Sequence, residues 1–202
     1  MQLLQTGCTI IPNVLESHSF KELVKLAKCA TYTRNKVPRL PCVSCDMNKP
    51  DSFYGEITKA VKRITNEETL FLYNDPTFKQ YDYFLRYHNN KQFHYHIDPN
   101  QSKGSLVPCV LTLDSDPIFV FEYAFNDKVY KLELPENSLL IHNPTILHCV
   151  KCEKPASIRY SMPIFYTTCD EYMPSTNLDR IRYLTNWDTY KQLYRLVREK
   201  FT

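Results

Sequence analysis

The chain has 202 residues, 43% of them hydrophobic and 23% charged, with a net charge of only +3, an ordinary globular composition that fits one domain. Its only glycines are Gly7, Gly55 and Gly104, so neither a P-loop nor a G-x-G-x-x-G loop can be written. No apolar run approaches the length of about 20 residues needed to cross a bilayer, and the first twenty residues lack the charged and apolar regions of a signal peptide. An intracellular protein with no membrane contact is expected, its eight Cys free thiols rather than a disulfide framework.

Taken in order, CTIIPNVL reads as a strand closed by Pro and Asn. LESHSFKELVKLAKCA follows with Phe20, Leu23, Val24 and Ala27 at helical spacing, and Ser17 or Ser19 is the expected cap. Residues 31–52 hold three prolines and little periodicity, which predicts an extended surface loop, its 35–52 part covering the substrate entrance. FYGEITKAVKRITNEE is a second helix, carried by Ile57, Val61 and Ile64. From about residue 70 the pattern shortens. YDYFLRY, FHYHID, LVPCVLTL, PIFVFEY, KVYKLEL, SLLIH, ILHCV and IRYSMPIFY succeed one another, separated by clusters such as DPNQSKGS and FND. Closely spaced strands with turn signals predict a sandwich, jelly roll or barrel. The end, DRIRYLTNWDTYKQLYRLVREKF, reads as helical, with Leu193, Tyr194 and Val197 on one face. It lies in a weakly basic tail: residues 177–202 hold six Lys or Arg against three Asp or Glu. The expectation is a mainly β single domain with flanking helices: helices over about 1–68, a jelly-roll core over about 69–168 and a helical tail over about 176–202.

His96 and Asp98 lie two residues apart in a predicted strand, so they point to one face. His148 follows fifty residues after Asp98, at the end of an apolar hairpin that delivers it from a rigid scaffold. A His-x-Asp pair with a distant His is the facial arrangement for non-haem Fe(II): two neutral imidazoles and one carboxylate hold the ion and leave positions for a bidentate 2-oxo acid and dioxygen. Arg159 sits eleven residues past His148 and shares a strand face with Ser161. A guanidinium on an inward face needs an anion, and the distal carboxylate of 2-oxoglutarate would satisfy it bidentately; a structural salt bridge is the plainer alternative. The hydroxyl of Tyr87, nine residues before His96, could donate to the same co-substrate, although most of the 15 Tyr must be packing. Two histidines compete for these roles. His94 shares the face of His96, which makes His94/His96 a rival pair, and His142 shares the face of Leu140, behind the site or in the core. The Cys-x-x-Cys pairs Cys42/Cys45 and Cys149/Cys152 could instead make a tetrahedral four-cysteine zinc site, although they are 104 residues apart.

On these residues the chain resembles the Fe(II)/2-oxoglutarate dioxygenase superfamily over roughly residues 35–166, which implies a double-stranded β-helix. Within it, KVPRLPCV, YFLRYHNNKQFHYHID, SDPIFVFEY, LELPENSLLIHNPTILHCV and RYSMPIF look most like AlkB-type proteins. That resemblance implies oxidative demethylation of a methylated DNA or RNA base, with Tyr87 and Arg159 on 2-oxoglutarate. Three positions depart from the AlkB pattern: Phe165 where a second Arg is usual, Leu85 where an Asn is common, and Asn100 in place of an acidic residue. RYHNNKQFHYHID also resembles prolyl-hydroxylase-type enzymes, and the Arg159–Ser161 spacing matches small-molecule oxygenases. A protein or small-molecule substrate is therefore the alternative to nucleic acid, and a non-catalytic binding module a further one. The nucleic-acid reading draws on the Pro-Arg loop at 35–46 with its Tyr32 and Cys neighbours, the basic tail and candidate stacking residues such as Tyr54 and Tyr73.

Overall fold

The computed structural model describes residues 6–33, 42–44, 52–72, 83–88, 93–98, 105–115, 119–152 and 158–169. In chain order the elements are β1 (Cys8–Ile11), α1 (Ser17–Cys29), β2 (Cys42–Ser44), α2 (Ser52–Thr65), β3 (Phe71–Leu72), β4 (Phe84–Tyr87), β5 (Phe93–His96), β6 (Leu106–Ser115), β7 (Phe119–Phe125), β8 (Lys128–Glu133), β9 (Ser138–His142), β10 (Leu147–Cys152) and β11 (Arg159–Thr167). They form two antiparallel sheets. A seven-stranded sheet runs β1-β9-β6-β11-β4-β2, with β3 also paired to β11, and a four-stranded sheet runs β5-β10-β7-β8. This is the expected jelly roll.

Period-2 alternation in the large sheet sorts its side chains onto two faces. Leu111, Leu113, Leu139, Ile141, Met162 and Ile164 join one core cluster with Leu23, Ala27, Phe53, Ile57 and Val61 of the helices. Leu85, Tyr87 and Leu140 join the other, with Phe119, Phe121, Tyr123 and Val150 of the small sheet. Both helices therefore pack on the outer face of the large sheet. Leu23, Ile57 and Val61 are fully buried there, each contributing about 1.5–3 kcal/mol. Strands covered on both faces, such as β6 and β7, read as near-continuous apolar runs, whereas β8 at the edge of the small sheet alternates and exposes Lys128, Lys131 and Glu133. Those charges blunt an edge that could otherwise pair with another chain.

Local chemistry explains the turns. Asn126 and Asp127 both have positive φ, 48° and 58°, and form the two-residue connection between β7 and β8 that the right-handed twist of a hairpin favours. Asn137, at φ 52°, precedes β9. Its Oδ1 accepts from Leu15 N at 3.1 Å, and its Nδ2 donates to Leu15 O at 2.9 Å. One side chain thus ties the N-terminal segment to the jelly roll. Asn137→Ala is expected to lower unfolding free energy by about 2 kcal/mol, from two lost hydrogen bonds and a left-handed backbone that alanine adopts poorly. Urea denaturation checks this, and a loss below about 0.5 kcal/mol would contradict it.

Three expectations need correction or bounding. Neither Ser17 nor Ser19 caps α1: the N-cap is Glu16, and no side-chain cap bond is made. Its backbone N–H instead donates to the Glu56 carboxylate at 2.8 Å, a contact between α1 and α2 that no local pattern shows. Residues 42–44, expected in a loop, pair with β4 because that strand has a free edge. The rest of the 34–51 segment lies outside the described residues, as does the expected C-terminal helix. Among the described residues no helix is long and apolar enough to cross a membrane.

Candidate metal centre and anion cradle

β5 and β10 pair antiparallel with His96 directly opposite His148, so one imidazole from each strand projects into the space between the sheets. Their ring centroids are 4.2 Å apart. Asp98 lies just beyond the end of β5 and turns its carboxylate to both. Its Oδ1 is 3.5 Å from His96 Nε2, and its Oδ2 is 3.9 Å from His148 Nε2. Donor atoms of His96, Asp98 and His148 all lie within 4.8 Å of one another, the one group of His, Cys, Asp or Glu among the described residues arranged to hold a metal ion. Phe121 stacks on His148 with centroids 5.2 Å apart and closes one wall.

Burial shapes the electrostatics. It would raise the Asp98 carboxyl, but the hydrogen bond to His96 and the surrounding imidazoles bring it down to about 2. Burial pushes His148 well below its ordinary value, helped by the other two rings, and lowers His142 as well. His148 Nδ1 donates to the Ile146 carbonyl at 3.1 Å, which leaves Nε2 with its lone pair toward Asp98. The arrangement is an ionised carboxylate with the neutral nitrogen of His148 turned to it, the protonation state a divalent cation requires.

A pH dependence follows for the metal-free protein. Unfolded imidazoles titrate near 6.5. Below that pH the unfolded chain takes up protons that buried His142 and His148 refuse, so stability is present above about 6.5 and falls as pH falls. The stability from Asp98 is lost only between its ordinary 3.8 and about 2. A falling urea midpoint from pH 7 to pH 5, in the presence of a chelator, is the expected result; a flat profile would contradict it.

The second feature lies on the inner face of the large sheet. Arg159 of β11 is fully buried and stands opposite Tyr87 of β4. Its guanidinium lies 5.0 Å from the Tyr87 ring centroid. Nη1 donates to Ser161 Oγ and Nη2 to Thr112 Oγ1, each at a long 3.3 Å, and Nε has no partner. Among the described residues no carboxylate pairs with this guanidinium. A buried cation held only by neutral hydroxyls is costly, and a carboxylate accepting from it would relieve that cost. Tyr87 packs on Phe119 at 5.9 Å, and Phe119 and Phe121 share one apolar cluster with Tyr87, so the cradle and the His-Asp-His cluster border a common interior.

Each sequence-derived site residue thus has a place. His96, Asp98 and His148 converge, while Tyr87, Arg159 and Ser161 form the cradle. The sequence reading missed Thr112, whose only signal is a hydroxyl inside an apolar strand. It also missed how close His142 comes to Asp98: Nε2 is 3.3 Å from Oδ2. His94 is in β5, but its side chain lies outside the described residues. The zinc alternative gains nothing from the fold. Cys42 is in the large sheet, its Sγ 3.4 Å from His88 Nε2, and Cys149 is in the small sheet. Cys45 and the Cys152 side chain are outside the described residues.

No family model and no curated protein matches the chain. Solved structures do. A 2OG-Fe(II) oxygenase family oxidoreductase from Burkholderia pseudomallei superposes with a TM-score of 0.68 at 12% identity, over 86% of this chain and 91% of that one. HygX from Streptomyces hygroscopicus, crystallised with nickel, 2-oxoglutarate and hygromycin B, gives 0.65 at 12% identity, over 88% and 91%. A prolyl hydroxylase from Trichoplax adhaerens, in complex with a hypoxia inducible factor peptide fragment, gives 0.58 at 17% identity, over 83% and 86%. Likeness at such identities speaks for the backbone alone: the chain has the double-stranded β-helix fold of these 2-oxoglutarate oxygenase structures.

Proposed function

We propose that this chain is an Fe(II)- and 2-oxoglutarate-dependent oxygenase. The observation that carries the reading is a fully buried guanidinium without a carboxylate partner among the described residues, bordering the same interior as a His-Asp-His donor set. His96, Asp98 and His148 would hold the ion. Arg159, Tyr87, Ser161 and Thr112 would receive the distal carboxylate of the co-substrate. When bound, iron with 2-oxoglutarate and dioxygen supplies the oxidising power that puts one oxygen into a C–H bond, while the other leaves in succinate with release of carbon dioxide. The protein's own part is to keep His148 neutral and Asp98 ionised, to orient the diacid through Arg159, and to exclude water with Phe119 and Phe121.

Two substrate readings are carried by different observations. Demethylation of a nucleic-acid base rests on the AlkB-like sequence segments. Hydroxylation of a peptide side chain or small molecule is favoured by how Tyr32 and Tyr54 are used, Tyr73 lying outside the described residues. Arg86 lies 4.6 Å from the centroid of the Tyr32 ring, which also packs on Tyr160, and Tyr54 packs against the helix-side core. Peptide and small-molecule ligands in the compared oxygenases point the same way.

Succinate release with Fe(II), 2-oxoglutarate and a panel of methylated DNA, methylated RNA and peptides tests both. Stimulation by methylated oligonucleotides selects the first reading, and stimulation by peptides the second. A protein that binds neither Fe(II) nor 2-oxoglutarate is no oxygenase; one that binds both without turnover is a non-catalytic module.

A further inference from the structure

Register builds an aromatic row across the small sheet. β5 pairs β10 with His96 opposite His148, β10 pairs β7 with His148 opposite Tyr123, and β7 pairs β8 with Tyr123 opposite Tyr130. Residues opposite one another share a face, so the row runs from two members of the candidate centre to the strand at the other edge of the sheet. The Tyr123 and Tyr130 rings stack, with centroids 5.2 Å apart and planes 19° from parallel. Phe121, two residues before Tyr123 on the same face, bridges the step to the centre: its centroid is 5.7 Å from that of Tyr123 and 5.2 Å from that of His148. Each step is one aromatic contact. Phe121 and Tyr123 are 1% and 4% exposed, so no ligand can stack on them, whereas Tyr130 is 38% exposed. The two tyrosines also differ in where a proton can go. The Tyr123 hydroxyl donates to the Thr6 carbonyl at 3.1 Å, and a carbonyl oxygen accepts a hydrogen bond but is too weak a base to take the proton. Tyr130 stands beside water, which can.

We propose that this row is an electron path and that Tyr130 is its terminus, the residue oxidised when oxidising equivalents at the centre meet no substrate. The path rests on the metal-binding part of the oxygenase reading. Tyr130 gives up one electron, which passes by way of Tyr123 and Phe121 to the oxidised ion and lowers its oxidation state by one. The Tyr130 hydroxyl proton goes to solvent, and a neutral phenoxyl radical remains at the surface. A thiol or ascorbate from solution then returns one hydrogen atom and is itself oxidised by one electron. Oxidation that would otherwise fall on the buried ligands is thereby moved to a side chain that small reductants can reach.

The test supplies the oxidant without turnover. The full-length protein, loaded with one equivalent of Fe(II), is mixed with hydrogen peroxide, frozen and examined by electron paramagnetic resonance, and a parallel sample is mapped by peptide mass spectrometry. A tyrosyl radical is expected, with oxidation at Tyr130. Both should be lost when Zn(II), which cannot be oxidised, replaces Fe(II). Tyr130→Phe should remove the surface radical, and Tyr123→Phe, which keeps the ring but not an oxidisable phenol, should cut oxidation at the unchanged Tyr130. Equal oxidation of Tyr130 in the zinc-loaded protein would mark it as a target of peroxide in solution and overturn the proposal. Oxidation confined to residues beside the ion, with Tyr130 intact, would overturn it as well. The comparison of iron with zinc in the unaltered protein decides this even if a variant does not fold. Failure of the unaltered protein to bind Fe(II) would instead sink the oxygenase reading, and this path with it.

Discussion

His148→Ala is expected to lower metal affinity by at least about 100-fold, beyond the 10- to 100-fold typical when only a group behind a ligand is lost, and to abolish succinate release. His148 is 5% exposed, and its position opposite His96 is set by strand pairing. Removal leaves His96 and Asp98 as a two-donor remnant beside a void. Calorimetric titration with Co(II) or Ni(II) reads the affinity directly, and circular dichroism checks that the sheets survive. Metal binding at undiminished affinity in the folded variant would take His148 out of the centre.

Arg159→Met separates binding from chemistry. The guanidinium is fully buried with Nε unsatisfied and no carboxylate partner among the described residues, so its charge is uncompensated there. An apolar side chain of similar length relieves that cost, and the variant without 2-oxoglutarate is expected to be more stable by about 1 kcal/mol or more. The co-substrate loses its charge partner: the KM for 2-oxoglutarate should rise by roughly 30-fold or more, about 2 kcal/mol, with kcat at saturation nearly unchanged. The thermal stabilisation that 2-oxoglutarate confers on the unaltered protein should disappear. A variant that is destabilised, yet keeps its KM, would make Arg159 a structural residue and remove the ground for a diacid co-substrate.

The two substitutions act on opposite sheets. His148 belongs to β10 of the small sheet and Arg159 to β11 of the large one, joined by a short connection. The jelly roll therefore places the His-Asp-His cluster and the buried guanidinium on different sheets. Phe119 and Phe121 between them are nearly fully buried and keep the interior dry, which strengthens each charge interaction inside it.

Much of this was legible in the residues themselves. Strand positions from β4 onward followed from short apolar alternations and from turn residues such as Asn126-Asp127, because side-chain period and left-handed φ are local properties. The His96-x-Asp98 spacing suggested two ligand types on one face, but β5 ends at His96 and Asp98 turns its carboxylate in from just beyond it. What the chain could not disclose depends on which strand pairs with which. That His96 faces His148, that Tyr87 faces Arg159, and that Thr112 joins the cradle are facts of register between segments far apart in sequence. β2 escaped detection for the same reason, since a three-residue edge strand forms only where a neighbour offers a free edge. His142 shared a face with Leu140, and its strand left open whether it stood behind the site or in the core. Only the closing of one sheet over the other, driven by burial of the apolar faces between them, carried its ring to Asp98.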